Sequence, residues 1–465
     1  MAMAKDSAYL AFDLGASSGR AVLGRPAGEQ IELEEIYRFP NAPAVEGDEL
    51  FWDFEGLFGH LLEAMRQAGQ RGINVRAVAV DTWGVDFGLL DERGQLLERP
   101  HCYRDSRTAG VCRRIAQRIG AQRLQARTGS MHQDHDTLCQ LLAAKERTPE
   151  VLKRARRLLF MPDLLRYRLC GDQRSDCTIA STSLMYDAMR REWAADILKE
   201  LDLPGEILPT VVTGPALAGT LTQDVQKKTG LGAVPVVAGA GHDTGAAYGL
   251  CRRSDLPPPE DLVVISSGTW SVVGVFVDRH LLSGTVDPAL FGYEANPDGS
   301  LRLVRNLTGG WLIEQCRKAW AEGGVDISYE TLIASARQAE GAPNASAILD
   351  VQWDGFTHPE SMPAAILEHC RQTGQPAPKA PGEFTHVIFA SLAENYARTI
   401  NQLRSLTGRR LGNIYIIGGM SRNAYLNELT SRRAGAKVLV GPAEATAMGN
   451  IAVQMAAVGY VKPTE

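Results

Sequence analysis

The sequence predicts an α/β protein built from two related halves, and three observations carry that expectation. A strand-turn-strand unit lies near the start, where a short apolar strand runs through Ala11-Phe-Asp-Leu-Gly-Ala-Ser-Ser-Gly-Arg20 into a second one, Ala21 to Gly24. A copy of that unit recurs about half a chain later at Leu262 to Val277, with Ser266-Ser-Gly-Thr269 as its turn. Elsewhere apolar strands end in polar, glycine-containing stretches that lead into amphipathic helices, the arrangement that collects ligands at strand carboxyl ends.

The first turn, Gly15 to Gly19, offers small side chains and backbone N–H groups that can close around phosphate oxygens, with the carboxylate of Asp13 at its root. No Gly-Lys-Ser/Thr follows, and the chain continues as a strand where a dinucleotide fingerprint would open a helix. Each half is therefore expected to present one hairpin to a shared nucleotide. Ile31 to Phe39 reads as a further strand and Phe54 to Gly72 as a helix with Leu57, Leu61, Leu62 and Met65 on one face. Arg76 to Val80 reads as a buried strand delivering Asp81-Thr-Trp-Gly-Val-Asp-Phe-Gly88 at its end. Asp81 and Asp86 there suit sugar hydroxyls or loop-tying bonds to backbone N–H groups equally. His132-Gln-Asp-His-Asp136 invites a metal reading, but two imidazoles three residues apart without a distant third ligand read better as a solvated helix start with Asp136 near the cap. Thr178 to Asp187 reads as a buried polar turn near a site.

Val236 to Ala247 is the second informative stretch: strand, glycine turn and a helix of small residues bring His242 and Asp243 to a helix N-terminus. Gly239-x-Gly241-x-x-x-Gly245 is close to a dinucleotide motif, which requires an acid at the end of the next strand; Glu260 and Asp261 precede that strand. Spacing leaves Asp243 open between a catalytic base and a simple helix cap. Arg252 to Asp261, with Pro257, Pro258 and Pro259 in a row, reads as a linker, dividing the chain into 1–251, the linker 252–261, and 262–465. Beyond it, Asn306-Leu-Thr-Gly-Gly-Trp311 opens a helix, Val387 to Leu406 forms a long helix, and Asn413 to Ile417 is a strand ending in Gly418-Gly-Met-Ser-Arg-Asn423. A last helix follows Gly441, whose small residues suit a flat base such as adenine lying against it. Trp83 and Trp270 read as packing residues under the two turns.

The totals exclude other classes. A length of 465 residues suits two or three domains, and a net charge of -5 gives no field for a nucleic-acid backbone. Eight cysteines without metal or disulfide spacing read as free thiols, and no apolar run is long enough for a membrane span or signal core, so a cytoplasmic protein with no membrane partner is expected.

Eight motifs in order, Asp13-Leu-Gly-Ala-Ser-Ser-Gly-Arg, Asp81-Thr-Trp-Gly-Val-Asp-Phe-Gly, Tyr103-Arg-Asp-Ser-Arg, Met161-Pro-Asp-Leu-Leu, Gly241-His-Asp-Thr, Ser266-Ser-Gly-Thr-Trp-Ser, Ile417-Gly-Gly-Met-Ser-Arg-Asn and Gly441-Pro-Ala-Glu-Ala-Thr-Ala-Met-Gly-Asn, together resemble the FGGY carbohydrate kinase family. The Ala-Ser-Ser-Gly-Arg turn and the Asp-Thr-Trp-Gly-Val-Asp pair are most similar to its branch that phosphorylates L-rhamnulose. The resemblance implies two ribonuclease-H-like domains of the actin, Hsp70 and sugar-kinase type, closing a cleft over MgATP and a ketose. By motif, Ala16, Ser17, Ser18, Gly19, Arg20 and Thr269 would hold phosphates and Gly419 the nucleotide, with Asp13 near Mg2+. Gly84, His242, Asp243, Thr244 and Asn306 would meet the sugar. Glu314 stands where the family usually has a nucleotide-contacting Gln, Met420 replaces a glycine, and Asp136 replaces Asn.

Phosphoryl transfer needs positioning, charge neutralisation and a base for the attacking hydroxyl, and the resemblance makes Asp243 that base for the sugar C1 hydroxyl. The substrate choice among L-rhamnulose, L-fuculose, L-ribulose and L-xylulose stays open at this level, as does the oligomeric state. Two other classes remain as alternatives: an actin-like ATPase without a sugar acceptor, and a nicotinamide oxidoreductase.

Overall fold

A computed structural model of the chain describes residues 7–28, 30–252, 255–278, 286–357 and 359–460. It divides into two compact units, one of Met1–Leu250, Asp278–Arg302 and Thr446–Glu465, the other of Cys251–Val277 and Leu303–Ala445. Two segments beyond the proline-rich stretch thus belong to the first unit.

The first unit is organised on a sheet of β1 (Ser7–Leu14), β2 (Ser18–Ala27), β3 (Gln30–Pro40), β4 (Asn74–Thr82), β5 (Ala216–Thr220) and β6 (Pro235–Ala238). The order is β5-β6-β4-β1-β2-β3. β1 to β3 form an antiparallel meander, and β4 and β6 run parallel to β1. All eight residues of β1 are buried because both faces of the sheet are covered, which is why it reads as an unbroken apolar run. On one face Leu10, Phe12, Val78 and Val80 meet Leu57, Leu61 and Met65 of the helix Phe54–Gln70. That helix starts where Asp53 accepts from Gly56 N, and its Leu62 is only half-buried. On the other face the smaller Ala11, Ala77 and Ala79 leave room for Ile451 and Val453 of the C-terminal helix Ala445–Ala457.

The second unit repeats the plan with β7 (Leu262–Ser267), β8 (Trp270–Val277), β9 (Leu301–Thr308), β10 (Asn413–Ile417) and β11 (Lys437–Val440). Their order is β9-β8-β7-β10-β11, with β7 antiparallel to β8 and parallel to β10. An antiparallel hairpin followed by parallel strands is common to both units, as the duplicated hairpins predict. The helix Pro381–Thr407 begins six residues before the expected Val387, because Pro381 occupies its first turn and Glu383 accepts from Lys379 N and Ala380 N. Its Tyr396 hydroxyl bonds Ser271 at 2.6 Å and Ser267 at 3.2 Å, fastening the helix to the second hairpin. Among the described residues no helix is long and apolar enough to cross a membrane.

Candidate active site

The turn between β1 and β2 is braced from outside: Asn41 N donates to Ser17 O at 3.0 Å and Asn41 Nδ2 to Gly15 O at 2.8 Å. These bonds occupy the turn's carbonyls, and among the described residues the N–H groups of Ala16 and Ser17 have no partner, the condition a phosphate grip requires. Nothing in the sequence marks Asn41, which meets the turn through the β2–β3 pairing. Ser18 and Gly19 already belong to β2, and a side chain on Gly19 would run into the Phe39 ring. Arg20 lays its guanidinium on Asp13 Oδ2 at 2.7 and 3.0 Å in a partly buried ion pair.

The parallel register sets Asp81 directly beside Asp13 on the adjacent strand. Asp81 is fully buried; its Oδ2 accepts from Asn450 Nδ2 at 2.5 Å while its Oδ1 has no hydrogen-bond partner. Burial, and then the neighbouring Asp13 charge, push its carboxyl well above the usual range. Thr82 N donates to Gly241 O at 2.9 Å, and Thr82 bridges to His242, so the ends of β1, β4 and β6 assemble Asp13, Asp81, His242 and Asp243 in one place.

The loop after β4 is held without slack. Val85 adopts φ of 69°, a conformation costly for a β-branched residue. It is kept there by Thr182 Oγ1, which accepts Val85 N at 3.1 Å, and by Thr137 Oγ1, which donates to Val85 O at 2.6 Å. Asp86 accepts from Trp52 Nε1, Trp83 Nε1, Tyr103 N and Gln140 Nε2, at 2.6, 2.9, 3.1 and 2.8 Å. Three of these donors share Oδ2, and only one of the four is a backbone N–H, so Asp86 ties the loop chiefly to side chains. Trp83 packs on Trp52 with ring centroids 4.2 Å apart. Gly84 stands at the bend, where an added Cβ would lie 3.2 Å from the Thr182 side chain.

A second clamp positions His242 and Asp243. Asp176 caps the helix Cys177–Ala180, its Oδ1 accepting from Thr178 N at 2.9 Å and Thr178 Oγ1 at 2.5 Å. Its Oδ2 accepts from Gly241 N at 3.0 Å, and Thr178 Oγ1 accepts from His242 N at 3.0 Å. The buried polar turn expected around Thr178 is therefore a brace for the backbone that carries Asp243, although Asp176 itself was not singled out in the sequence. Asp243 opens the helix Asp243–Gly249; its Oδ1 accepts from Thr244 N and, at 3.1 Å, from Thr244 Oγ1. Enclosure by the chain pushes its carboxyl above the usual range, with help from the Asp13 charge, while 32 % of its side chain still meets solvent.

In the second unit Thr269 and Gly419 are exposed at the ends of β7 and β10. Gly309 N and Trp311 N donate to Thr269 O, at 3.1 and 3.2 Å, and Gly310 N donates to Gly268 O at 2.8 Å, buttressing the second turn. Gly418, with φ of 88°, lets the β10 turn pass within reach of Ser267, whose carbonyl a Cβ would approach at 2.7 Å. Asn306 lies on β9 with a buried, unpartnered Oδ1, and Glu314 is exposed in the first turn of the helix Trp311–Glu322, 3.4 Å from Arg317.

Three expectations need correction. Trp270 is 47 % exposed and does not pack under its turn, because the first residue of β8 points outward. The 132–136 segment is a helix start with Asp136 at the cap position, as expected, but only Asp134 in it is exposed. Asp136 precedes the helix Thr137–Arg147 but is buried, and its carboxylate accepts from Gln133 N, not from a helix amide. Burial pushes His132 and His135 each down to about 4, and among the described residues no group of His, Cys, Asp and Glu there could hold a metal. One small residue of the C-terminal helix, Gly449, faces protein and not a base: a Cβ there would collide with the Ala246 carbonyl in the helix that begins at Asp243.

Comparison with known proteins agrees with this layout. Residues 8–249 match the N-terminal domain and residues 263–458 the C-terminal domain of the FGGY family of carbohydrate kinases. A rhamnulokinase of Bacteroides thetaiotaomicron is 38% identical over 97% of this chain and 91% of its own. A rhamnulokinase of Enterococcus faecalis is 33% identical over 98% of this chain and 90% of its own. Among solved structures, a xylulose kinase from Lactobacillus acidophilus superposes with a TM-score of 0.79 at 15% identity, covering 98% of this chain and 90% of that one. A Plasmodium falciparum glycerol kinase with ADP gives 0.77 at 13% identity, over 98% and 90% of the two chains. These last two show the shared two-domain fold. The carboxylates gathered at the strand ends, the paired glycine turns and relatives matched over nearly the whole length lead to one conclusion: the chain belongs to the FGGY family of carbohydrate kinases and is an ATP-dependent sugar kinase.

Proposed function

We propose that this kinase transfers the γ-phosphoryl group of ATP to the C1 hydroxyl of L-rhamnulose, giving L-rhamnulose 1-phosphate and ADP. The observation that carries the choice of sugar is full-length similarity to proteins named rhamnulokinase, up to 38% identity. Asp243 is the general base: its carboxylate is held by Thr244 and by the backbone brace at Asp176, it reaches solvent, and its raised pKa brings it nearer to the operating pH of a base. His242, Thr244, Gly84 and Asn306 are assigned to the sugar; the unpartnered Asn306 Oδ1 supports a polar ligand there.

The amides of Ala16 to Gly19, with Arg20 and Thr269, are assigned to the phosphates, and Gly419 and Glu314 to the rest of the nucleotide. In this reading the first unit carries the sugar and the first phosphate hairpin, and the second unit carries the nucleotide. A divalent cation fits the carboxylates present, since Asp13 and Asp81 stand side by side and Asp81 Oδ1 is buried without a partner. Mg2+, when bound, neutralises charge on the β- and γ-phosphates. Asp13 would hold it, and Arg20 holds Asp13 in place through their ion pair.

The test is ADP release from MgATP with a panel of L-ketoses. Strong stimulation by L-rhamnulose above the other sugars is the expected result. Stimulation by L-fuculose, L-ribulose or L-xylulose instead would move the substrate, and turnover indifferent to every sugar would remove the acceptor.

A further inference from the structure

Behind Asp243 the first unit buries a charged arrangement to which no step above assigns a role. Arg302 is completely enclosed. One end of its guanidinium, NH1, donates to Ala295 O at 2.6 Å and to Asn296 Oδ1 at 2.9 Å, and the group lies over the Tyr248 ring at 5.1 Å. The other end, NH2, pairs with Glu294 Oε2 and stands 3.3 Å from His242 Nδ1.

A guanidinium has donors and no acceptor. Its contact with Nδ1 therefore requires that nitrogen to present its lone pair, which puts the single imidazole proton on Nε2. Nε2 lies 3.4 Å from Asp243 Oδ1. The opposite arrangement, an Nδ1 proton directed at Glu294, is unfavourable because the carboxylate is 3.6 Å away and the same oxygen is engaged by Arg302. An imidazolium would set an N–H against the Arg302 N–H.

We propose that Arg302, with Glu294 as its buried counter-ion, is a positioning residue that locks His242 in the Nε2–H tautomer and so aims a donor at the carboxylate of Asp243. Asp243 Oδ1 then takes donors from Thr244 N and Thr244 Oγ1, with His242 Nε2 facing it at 3.4 Å, and Oδ2 is left as the oxygen that receives the sugar proton. The step balances. The C1 oxygen loses its proton to Oδ2 and bonds to the γ-phosphorus, the bond from that phosphorus to the bridging oxygen breaks, and ADP leaves with that electron pair. His242 neither gains nor loses a proton. This inference rests on the reading of Asp243 as base.

The measurement is long-range proton–nitrogen NMR of histidine-labelled full-length protein, with His242→Gln used to assign the resonance. The expected spectrum shows a protonated Nε2 and an unprotonated Nδ1 at His242; a protonated Nδ1 overturns the proposal whatever any variant does. Arg302→Gln is expected to mix the tautomers and lower kcat roughly tenfold to a hundredfold, the worth of one hydrogen bond to a charged group, with KM for MgATP unchanged. Arg302→Lys, again a cation with donors only, should restore the Nε2–H form and much of the kcat. An unchanged tautomer and unchanged kcat in Arg302→Gln would remove Arg302 from the role. Full turnover in Asp243→Asn would sink the base reading alone, because the tautomer is read independently of activity.

Discussion

Asp243 and Asp86 are both enclosed carboxylates, and their surroundings give them different work. Asp243 has donors crowded on one oxygen and solvent within reach, whereas both oxygens of Asp86 are consumed by four donors. Asp243→Asn should therefore lower kcat by about 10²–10⁴-fold, the range for loss of a general base, while nucleotide affinity measured by calorimetry is retained. Near-normal turnover would remove Asp243 from the role. For Asp86, burial raises the folded-state pKa to about 6 from 3.8. The folded protein then holds a proton that the unfolded chain has released, so stability from this group is full below 3.8 and is lost as pH rises through about 6. Asp86→Asn keeps the shape without that titration, so its unfolding free energy relative to the wild type should climb between pH 4 and 6 and level off above. Parallel pH profiles for the two proteins would contradict the assignment.

At the scale of elements, two contacts govern where Asp243 sits. One is the cap of Cys177–Ala180, through which Asp176 reaches Gly241. The other is the close crossing of the C-terminal helix on the helix Asp243–Gly249, permitted by Gly449 against Ala246. Glycine to alanine in a helix interior ordinarily stabilises by about 1 kcal/mol. Here the methyl meets backbone that cannot swing aside, so Gly449→Ala should destabilise by about 1–3 kcal/mol in chemical denaturation and lower kcat as well. A stabilised, fully active variant would show that the crossing has slack. The two hairpins were legible because strand-turn-strand with small turn residues is a local pattern. The true start of Pro381–Thr407 was less so, since its first turn carries no apolar periodicity and is marked by Pro381 and Glu383.

For the whole molecule, the consequential fact is that the first unit is discontinuous. Thr446–Glu465 returns to it, and there Gln454 Nε2 donates to Leu10 O at 3.0 Å and Asn450 holds Asp81, both inside the core of residues that precede the proline-rich stretch. A chain ending at Glu444 exposes the alanine-lined face of β1 and β4 and leaves these buried polar groups without partners. Such a truncation is expected to lose a cooperative thermal transition and to aggregate. A sharp unfolding transition near that of the full chain would contradict this account.

The sequence by itself determined the α/β class, the paired glycine turns, the strand ends bearing Asp13, Asp81 and Asp243, and the family to which they belong, because each is a contiguous pattern of side-chain periodicity and small turn residues. Tertiary structure alone decided that Asp86 is a tie and that Gly449 spaces two helices, because both facts depend on residues distant in the chain. The same holds for Asn41 bracing the first turn and for the chain from Glu294 through Arg302 and His242 to Asp243. Hydrogen-bond partners separated by tens or hundreds of residues leave no spacing to read. They become visible only when parallel pairing sets the ends of β1, β4 and β6 side by side.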